Sequence, residues 1–308
     1  MFAARGIVVA LAFYALTYCL GSALVILLWL AMKRLNAKAA VPAAFLFALR
    51  LFPFALSVVV NIVFTLPSFW LMEKSSLDED AGTFILAVCA LLMLSFGLIR
   101  VLRAQARTRR AVNHWLLGAN RGNGAALNPM TSAANGAPPL ILAGIRRPKV
   151  LVCDAAAALL NEDELQAAVR HEHAHMRCRD NLKKVLVASI PFPGMAALEA
   201  AWQEAAELEA DDAAVSNRRE ALDLAAALVK LSRSFQQRPM PVLATGLVSG
   251  TSCISARVER LLEWRAPSGR PCTWPWLLFV LLSLIAGIAS NYHAALVLTH
   301  RLTELLVP

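Results

Sequence analysis

The sequence predicts an α-helical polytopic membrane protein carrying a cytoplasmic, mainly helical domain with a short β-hairpin or small sheet. Three observations predict it. The 308 residues are 58% hydrophobic and only 17% charged, with a mean hydropathy of +0.56, against roughly 45–50% apolar and 25% charged in ordinary soluble domains. The apolar excess is gathered into stretches 7–31, 43–72, 84–102 and 274–298, each long enough to cross about 30 Å of hydrocarbon as a helix. Between the third and fourth stretches lies a more polar region that contains His171-Glu172-His173-Ala174-His175.

The first stretch follows Arg5 and runs from Ile7 to Ala31, longer than the apolar core of a secretory signal. Lys33, Arg34 and Lys38 come next as a stop-transfer flank, so it reads as a retained transmembrane helix. The second stretch is preceded by Pro42 and holds Pro53, Pro67, Arg50 and Asn61. Proline is tolerated in a membrane helix when neighbours satisfy the carbonyls it frees, so one kinked span is expected, with two shallow half-helices as the alternative. Arg100, Arg103, Arg107, Arg109 and Arg110 end the third stretch, and the loop before it carries Glu73, Asp78, Glu79 and Asp80. The positive-inside rule then puts the amino terminus outside, residues 103–270 inside and the tail outside. Basic flanks account for most of the formal charge of +9 and suit an anionic bilayer. No recognition helix, zinc-finger spacing or aromatic-basic interleaving accompanies that charge, so no direct nucleic-acid partner is expected. The six cysteines form no CxxC and two lie in spans, which fits a reducing compartment better than a disulfide framework.

These flanks divide the chain into three transmembrane helices over 1–110, a flexible linker over 111–139, an inner domain over 140–270, and a fourth transmembrane helix with a short tail over 271–308. The linker is rich in Gly, Asn, Ala and Pro from 118 onward. Residues 140–153, LILAGIRRPKVLVC, hold two short apolar runs around Arg146, Arg147 and Pro148, the pattern of a hairpin or of two edge strands. Asn161, followed by Glu162, Asp163 and Glu164, marks the start of a helix that continues through the histidines. Residues 184–198 lie in an apolar passage broken by Pro191, Pro193 and Gly194. It is short for a complete span and reads as a re-entrant or membrane-surface segment, with a fifth, broken crossing as the alternative. Helical patterns return over 203–233 and 255–265.

His171 and His175 are four residues apart, so on a helix both imidazoles project from one face about one turn apart. Zinc takes such nitrogens in a tetrahedral set, and a catalytic site keeps one position for water. Glu172 stands beside them, able to take a proton from that water and pass it to a leaving amine. The competing reading is a solvated polar helix, and a third ligand separates the two. The candidate is Glu207, in Glu207-Leu208-Glu209-Ala210-Asp211. Glu207 and Asp211 share a helical face, so one carboxylate can bind the metal while the other accepts a hydrogen bond from a ligand imidazole. Glu209 points elsewhere. His173 lies off the ligand face, and Arg177 and Asp180 follow within the next turns, where an ion-pair or supporting role fits them. One Zn2+ per chain is the expected cofactor.

With these motifs the chain resembles the integral-membrane zinc peptidases of the BlaR/MecR type. The likeness is strongest over 146–215, in the order of a short strand region, HEHAHMRCRD and ELEAD. It implies a gluzincin-type fold for the inner domain, His171 and His175 as zinc ligands, Glu172 as the base, Glu207 as the third ligand and Asp211 as its supporting carboxylate. It also implies a protein or peptide substrate such as a cytoplasmic repressor, and a place in the inner (plasma) membrane with the site on the cytoplasmic side. The E-x-x-x-D motif is shared with HtpX and CAAX-prenyl-protease types, so a quality-control or CAAX-processing protease is the first alternative and a non-catalytic receptor or scaffold the second. The sensor-transducers carry an outer penicillin-binding domain; with Pro308 just past the last expected span, direct beta-lactam sensing by this chain is not expected. A strand at 149–153 beside the cleft is expected to hold an extended peptide as an added strand. The oligomeric state is left open.

Overall fold

The computed structural model describes residues 2–35, 41–72, 81–119, 131–133, 138–145, 148–234, 254–265 and 292–306. Among these, three helices are long and apolar enough to cross a membrane, over Ala4–Leu35, Ala43–Leu71 and Ala81–Trp115. Helix α1 (Phe2–Leu35) packs against both α2 (Ala43–Val60) and the third span. Leu20, Leu24, Leu27, Phe84, Ile85 and Leu92 stay exposed on the outer faces, as side chains do when lipid is the solvent.

The second span is one irregular helix, as its prolines foretell. Helix α2 passes into a π-helical turn at Asn61–Thr65 and then into α3 (Leu66–Met72). Pro67 has no N–H to give to the carbonyl of Val63, four residues back. That oxygen instead accepts from the hydroxyl of Tyr292 at 3.0 Å. The fourth expected span, 274–298, falls mostly on residues 266–291, outside the described residues.

Helix α4 (Ala81–Ala119) is the third span and continues well past its arginines. The linker expected from 111 is therefore corrected: residues 111–119 are helical, because Val112 and Trp115 share a face and pack on the core of the unit that carries the sheet. Residues 120–130 lie outside the described residues. Thr131–Ala133, also expected to be linker, form strand β1.

The sheet-bearing unit holds a small sheet and most of the remaining helices. Strands β2 (Leu140–Ala143) and β3 (Lys149–Cys153) make the expected antiparallel hairpin, in register Leu140 to Val152 and Ala143 to Lys149. Strand β1 pairs parallel with β3 on its other side, so the order is β1-β3-β2. Helices α5 (Asp154–Leu159), α6 (Glu162–Cys178), α7 (Asp180–Ser189), α8 (Ala196–Ala214), α9 (Arg218–Ser234) and α10 (Ile254–Leu262) follow, and α11 (Tyr292–Leu306) closes the described chain. Leu140, Leu142, Leu151, Ala167, Leu224, Leu228 and Leu261 are buried together, so the sheet, α6, α9 and α10 share one core. Fully burying each leucine contributes about 1.5–3 kcal/mol.

A second cluster joins this unit to the spans. Val25 and Trp29 of α1 and Ala43 and Leu46 of α2 pack with Val187 of α7 and with Met195, Leu198 and Trp202 at the start of α8. The passage 184–198 is thus the end of α7, a turn and the first residues of α8, laid against the apolar helices. Its turn is pinned by polar ties: the carbonyl of Ile190 accepts from Tyr18 Oη at 2.9 Å and from Arg50 Nη2 at 2.7 Å.

Candidate metal centre

Helix α6 presents the motif because its start is fixed. Asn161 Oδ1 accepts from Glu164 N at 2.8 Å, and Glu164 Oε2 accepts from Asn161 N at 3.0 Å, a reciprocal capping box. Ala167, Ala168 and Ala174 line the buried side of the helix, small enough for it to lie close to the sheet and to α9. That face also carries His171 and Glu172, both 0% exposed, and His175 at 1%. His173 is half-buried off this face and Arg177 is exposed.

Helix α8 packs across α6 and brings Glu207 and Asp211 to the same spot. His171 Nε2 and His175 Nε2 are 3.1 Å apart. Glu207 Oε2 lies 3.5 Å from the first and Glu207 Oε1 3.6 Å from the second. Ligand atoms about 2.0–2.1 Å from a tetrahedral zinc are separated by about 3.3 Å, so these spacings suit one shared ion. His171, His175 and Glu207 are the group among the described residues able to hold a metal in this way.

The far side of each imidazole also meets a carboxylate. Asp180 Oδ2 is 2.7 Å from His175 Nδ1, and Asp211 Oδ1 is 2.9 Å from His171 Nδ1, though off the line of that ring N–H. Asp180 reaches back because Arg179 adopts the left-handed conformation, φ 54°, and breaks α6 from α7. With both Nδ1 atoms facing carboxylates, both Nε2 lone pairs point at each other and at Glu207. A proton or a metal ion relieves that arrangement, and the donor set of two imidazoles and one carboxylate fits zinc.

The electrostatics agree. Burial opposes charging His175, yet contact with Asp180 and Glu207 pushes its pKa up to about 10. Burial likewise opposes the Glu207 carboxylate, but His171 and His175 hold its pKa well below the usual range. The raised His175 and the lowered Glu207 both favour positive charge at the point where the ion would sit. Glu172 differs: burial pushes its pKa up, and neither of its oxygens has a hydrogen-bond partner among the described residues.

Three further groups frame the site. Arg257 of α10 contacts Asp211 and Glu207, and Lys184 of α7 lies near enough to act on Glu172, Glu207 and Asp180. Glu209, between the two site acids, turns away and accepts from Ala43 N at the start of α2, at 2.9 Å. Sequence reading named none of these interactions. The available signal for Arg257 was the Arg257/Arg260 pair one turn apart, matched in charge to Asp211 and Asp212.

The strand expected to bind peptide is corrected. Residues 149–152 of β3 pair with β2 and residues 151–153 with β1, so β3 is the central strand and offers no edge. On β2, Asn181 Nδ2 donates to the carbonyls of Leu142 and Gly144, each at 3.0 Å, so those outward carbonyls are taken as well.

Buried histidines one turn apart, a carboxylate beside them and a second helix returning a third acid make the constellation of a metal-dependent hydrolase, here joined to membrane helices. The family model described as BlaR1 peptidase M56 matches residues 82–261, over half of the chain, and the chain belongs to that family. No curated protein matches the chain.

Proposed function

We propose that the chain is a zinc-dependent endopeptidase of the inner membrane, with its site on the cytoplasmic side, that cuts a regulatory protein of the repressor or signalling type. The observation that carries the reading is the facing pair of imidazoles closed by Glu207, with the unpartnered Glu172 carboxylate beside them.

His171, His175 and Glu207 would hold the ion, while Asp211 and Asp180 fix which ring nitrogen of each histidine is free for it. A bound zinc lowers the pKa of a water and polarises the scissile carbonyl. Glu172 accepts the proton of the attacking water on its free carboxylate and delivers it to the leaving amine. Burial raises its pKa above the ordinary carboxylate value, which favours the uptake of that proton before it is returned. The arginines at 100–110 and the segment 184–198, against α1 and α2, keep the site near the membrane face, so a soluble partner would approach from the inner side. Membership of the BlaR1 peptidase family supports a regulatory substrate over general turnover.

The test is zinc content and cleavage of casein or of the chain itself by detergent-purified protein, beside Glu172→Gln. One zinc in both with cleavage by the parent alone is expected. No metal in either overturns the ligand assignment, and equal cleavage by both overturns the role of Glu172.

A further inference from the structure

Arg257 has no part in the reaction above, yet it is 3% exposed and its whole guanidinium faces the site. Nε donates to Asp211 Oδ2 at 2.8 Å and Nη2 to Asp211 Oδ1 at 2.6 Å, a two-pronged hold. The remaining nitrogen, Nη1, stands 3.0 Å from Glu207 Oε2, the same oxygen that lies 3.5 Å from His171 Nε2. One planar group therefore touches the third candidate ligand and the carboxylate behind the first. A lysine ammonium, a point charge, cannot reproduce this fork plus a third contact.

Charge makes the same point. Glu172, Glu207, Asp211 and Asp180 are four buried carboxylates around two imidazoles. A divalent ion offsets two negative charges, and buried like charges otherwise drive a carboxyl to take up a proton. Arg257 supplies the positive charge on the Asp211 side. A plain tie between α10 and α8 does not explain it, because Arg260, one turn on, already makes that tie through Asp212 and the carbonyl of Leu208 on the outer side.

We propose that Arg257 is a positioning residue for the metal, holding Glu207 and Asp211 in place together so that the third ligand and the orientation of His171 are set before the ion arrives. This rests on the reading of His171, His175 and Glu207 as ligands. Helix α10 is thereby part of the metal site, although it offers no ligand.

The test uses the full-length chain in detergent, stripped by chelator, as parent, Arg257→Lys, Arg257→Gln and Arg260→Gln. Zinc affinity is read by competition with a chromophoric chelator, the ligand field by the visible spectrum of the cobalt form, and folding by thermal unfolding of the metal-free protein. Both Arg257 variants are expected to bind zinc about 10–100-fold more weakly and to shift the cobalt bands, while Arg260→Gln matches the parent. Because Arg257→Lys keeps the charge, it carries the test if Arg257→Gln fails to fold. Parent-like affinity and cobalt spectrum in the Arg257 variants, with no more than a lower melting temperature, overturn the proposal alone. A parent that takes up neither metal overturns the ligand reading and the proposal with it.

Discussion

His175 is held between opposing demands: Asp180 stabilises its charged form, and a metal ion needs its Nε2 bare. In the metal-free protein the sign follows from the two shifts. Burial opposes the Asp180 carboxylate, but His175 and Lys183 hold its pKa below the ordinary aspartate value of about 3.9. Its contribution is therefore present above that value and is lost as pH falls through the lowered one. His175 is raised to about 10, so its contribution is complete below its ordinary value of 6.5 and fades as pH rises toward 10. Stripped protein should gain most from the pair between about pH 4 and 6.5. The melting-temperature gap between parent and Asp180→Asn should be widest there and shrink on both sides; a gap flat from pH 3 to 9 would contradict the pairing. Zinc loading runs the other way, weakening as pH drops, because the ion must displace the proton on His175. At this scale the sequence was most readable. Four-residue spacing put His171 with His175 and Glu207 with Asp211, since each pair sits on one helix and needs no knowledge of the fold. Arg257 was opaque because its partners lie 46 and 50 residues away on another helix, and only packing brings them together.

Among the elements, helix and strand types were readable and their neighbours were not. The capping signal at Asn161 and the proline-broken second span both appear as expected, because each is a local matter of donors and acceptors. The end of α4 was missed because Val112 and Trp115 stabilise helix only through a core built from residues far along the chain. The middle place of β3 was missed because β1 is three residues long, too short for any periodicity to show. Close helix contacts are equally invisible to pattern, and Gly97 illustrates one. On α4, a Cβ at position 97 would overlap the carbonyl oxygen of Ser189 at the end of α7. At Gly21 on α1, the nearest atoms to such a Cβ, on Pro53, are 3.4 Å away, an ordinary contact. Gly97→Ala should thus lose about 1–3 kcal/mol by forcing α7 from α4, while Gly21→Ala should stay near the parent. Thermal unfolding of the two variants side by side decides it, and equal melting temperatures would mean that α7 does not approach α4 so closely.

For the whole molecule, the link between membrane and site runs along α8. That helix carries Glu207 and Asp211 in its last turns, while Glu199 in its first turn meets Arg50 of α2 at 2.8 Å and Glu209 meets the start of α2. Arg50 is 1% exposed and also holds the carbonyl of Ile190, so one charged side chain inside an apolar span fastens the turn between α7 and α8. Association of helices in lipid draws little from the hydrophobic effect, which leaves packing and polar ties of this kind to hold the spans to the sheet-bearing unit. Removing one partner of a buried pair costs about 3–5 kcal/mol, and the lower figure applies because the side chain of Glu199 keeps 21% of its surface exposed. Arg50→Met should therefore destabilise the protein by about 3 kcal/mol. Much of that loss is an uncompensated carboxylate, so Arg50→Met combined with Glu199→Gln should recover most of it, Tyr18 still serving the carbonyl of Ile190. A double-mutant cycle of melting temperatures checks this. Additive losses would show that Arg50 and Glu199 act independently, and would remove Glu199 as a tie between the second span and the helix that bears Glu207.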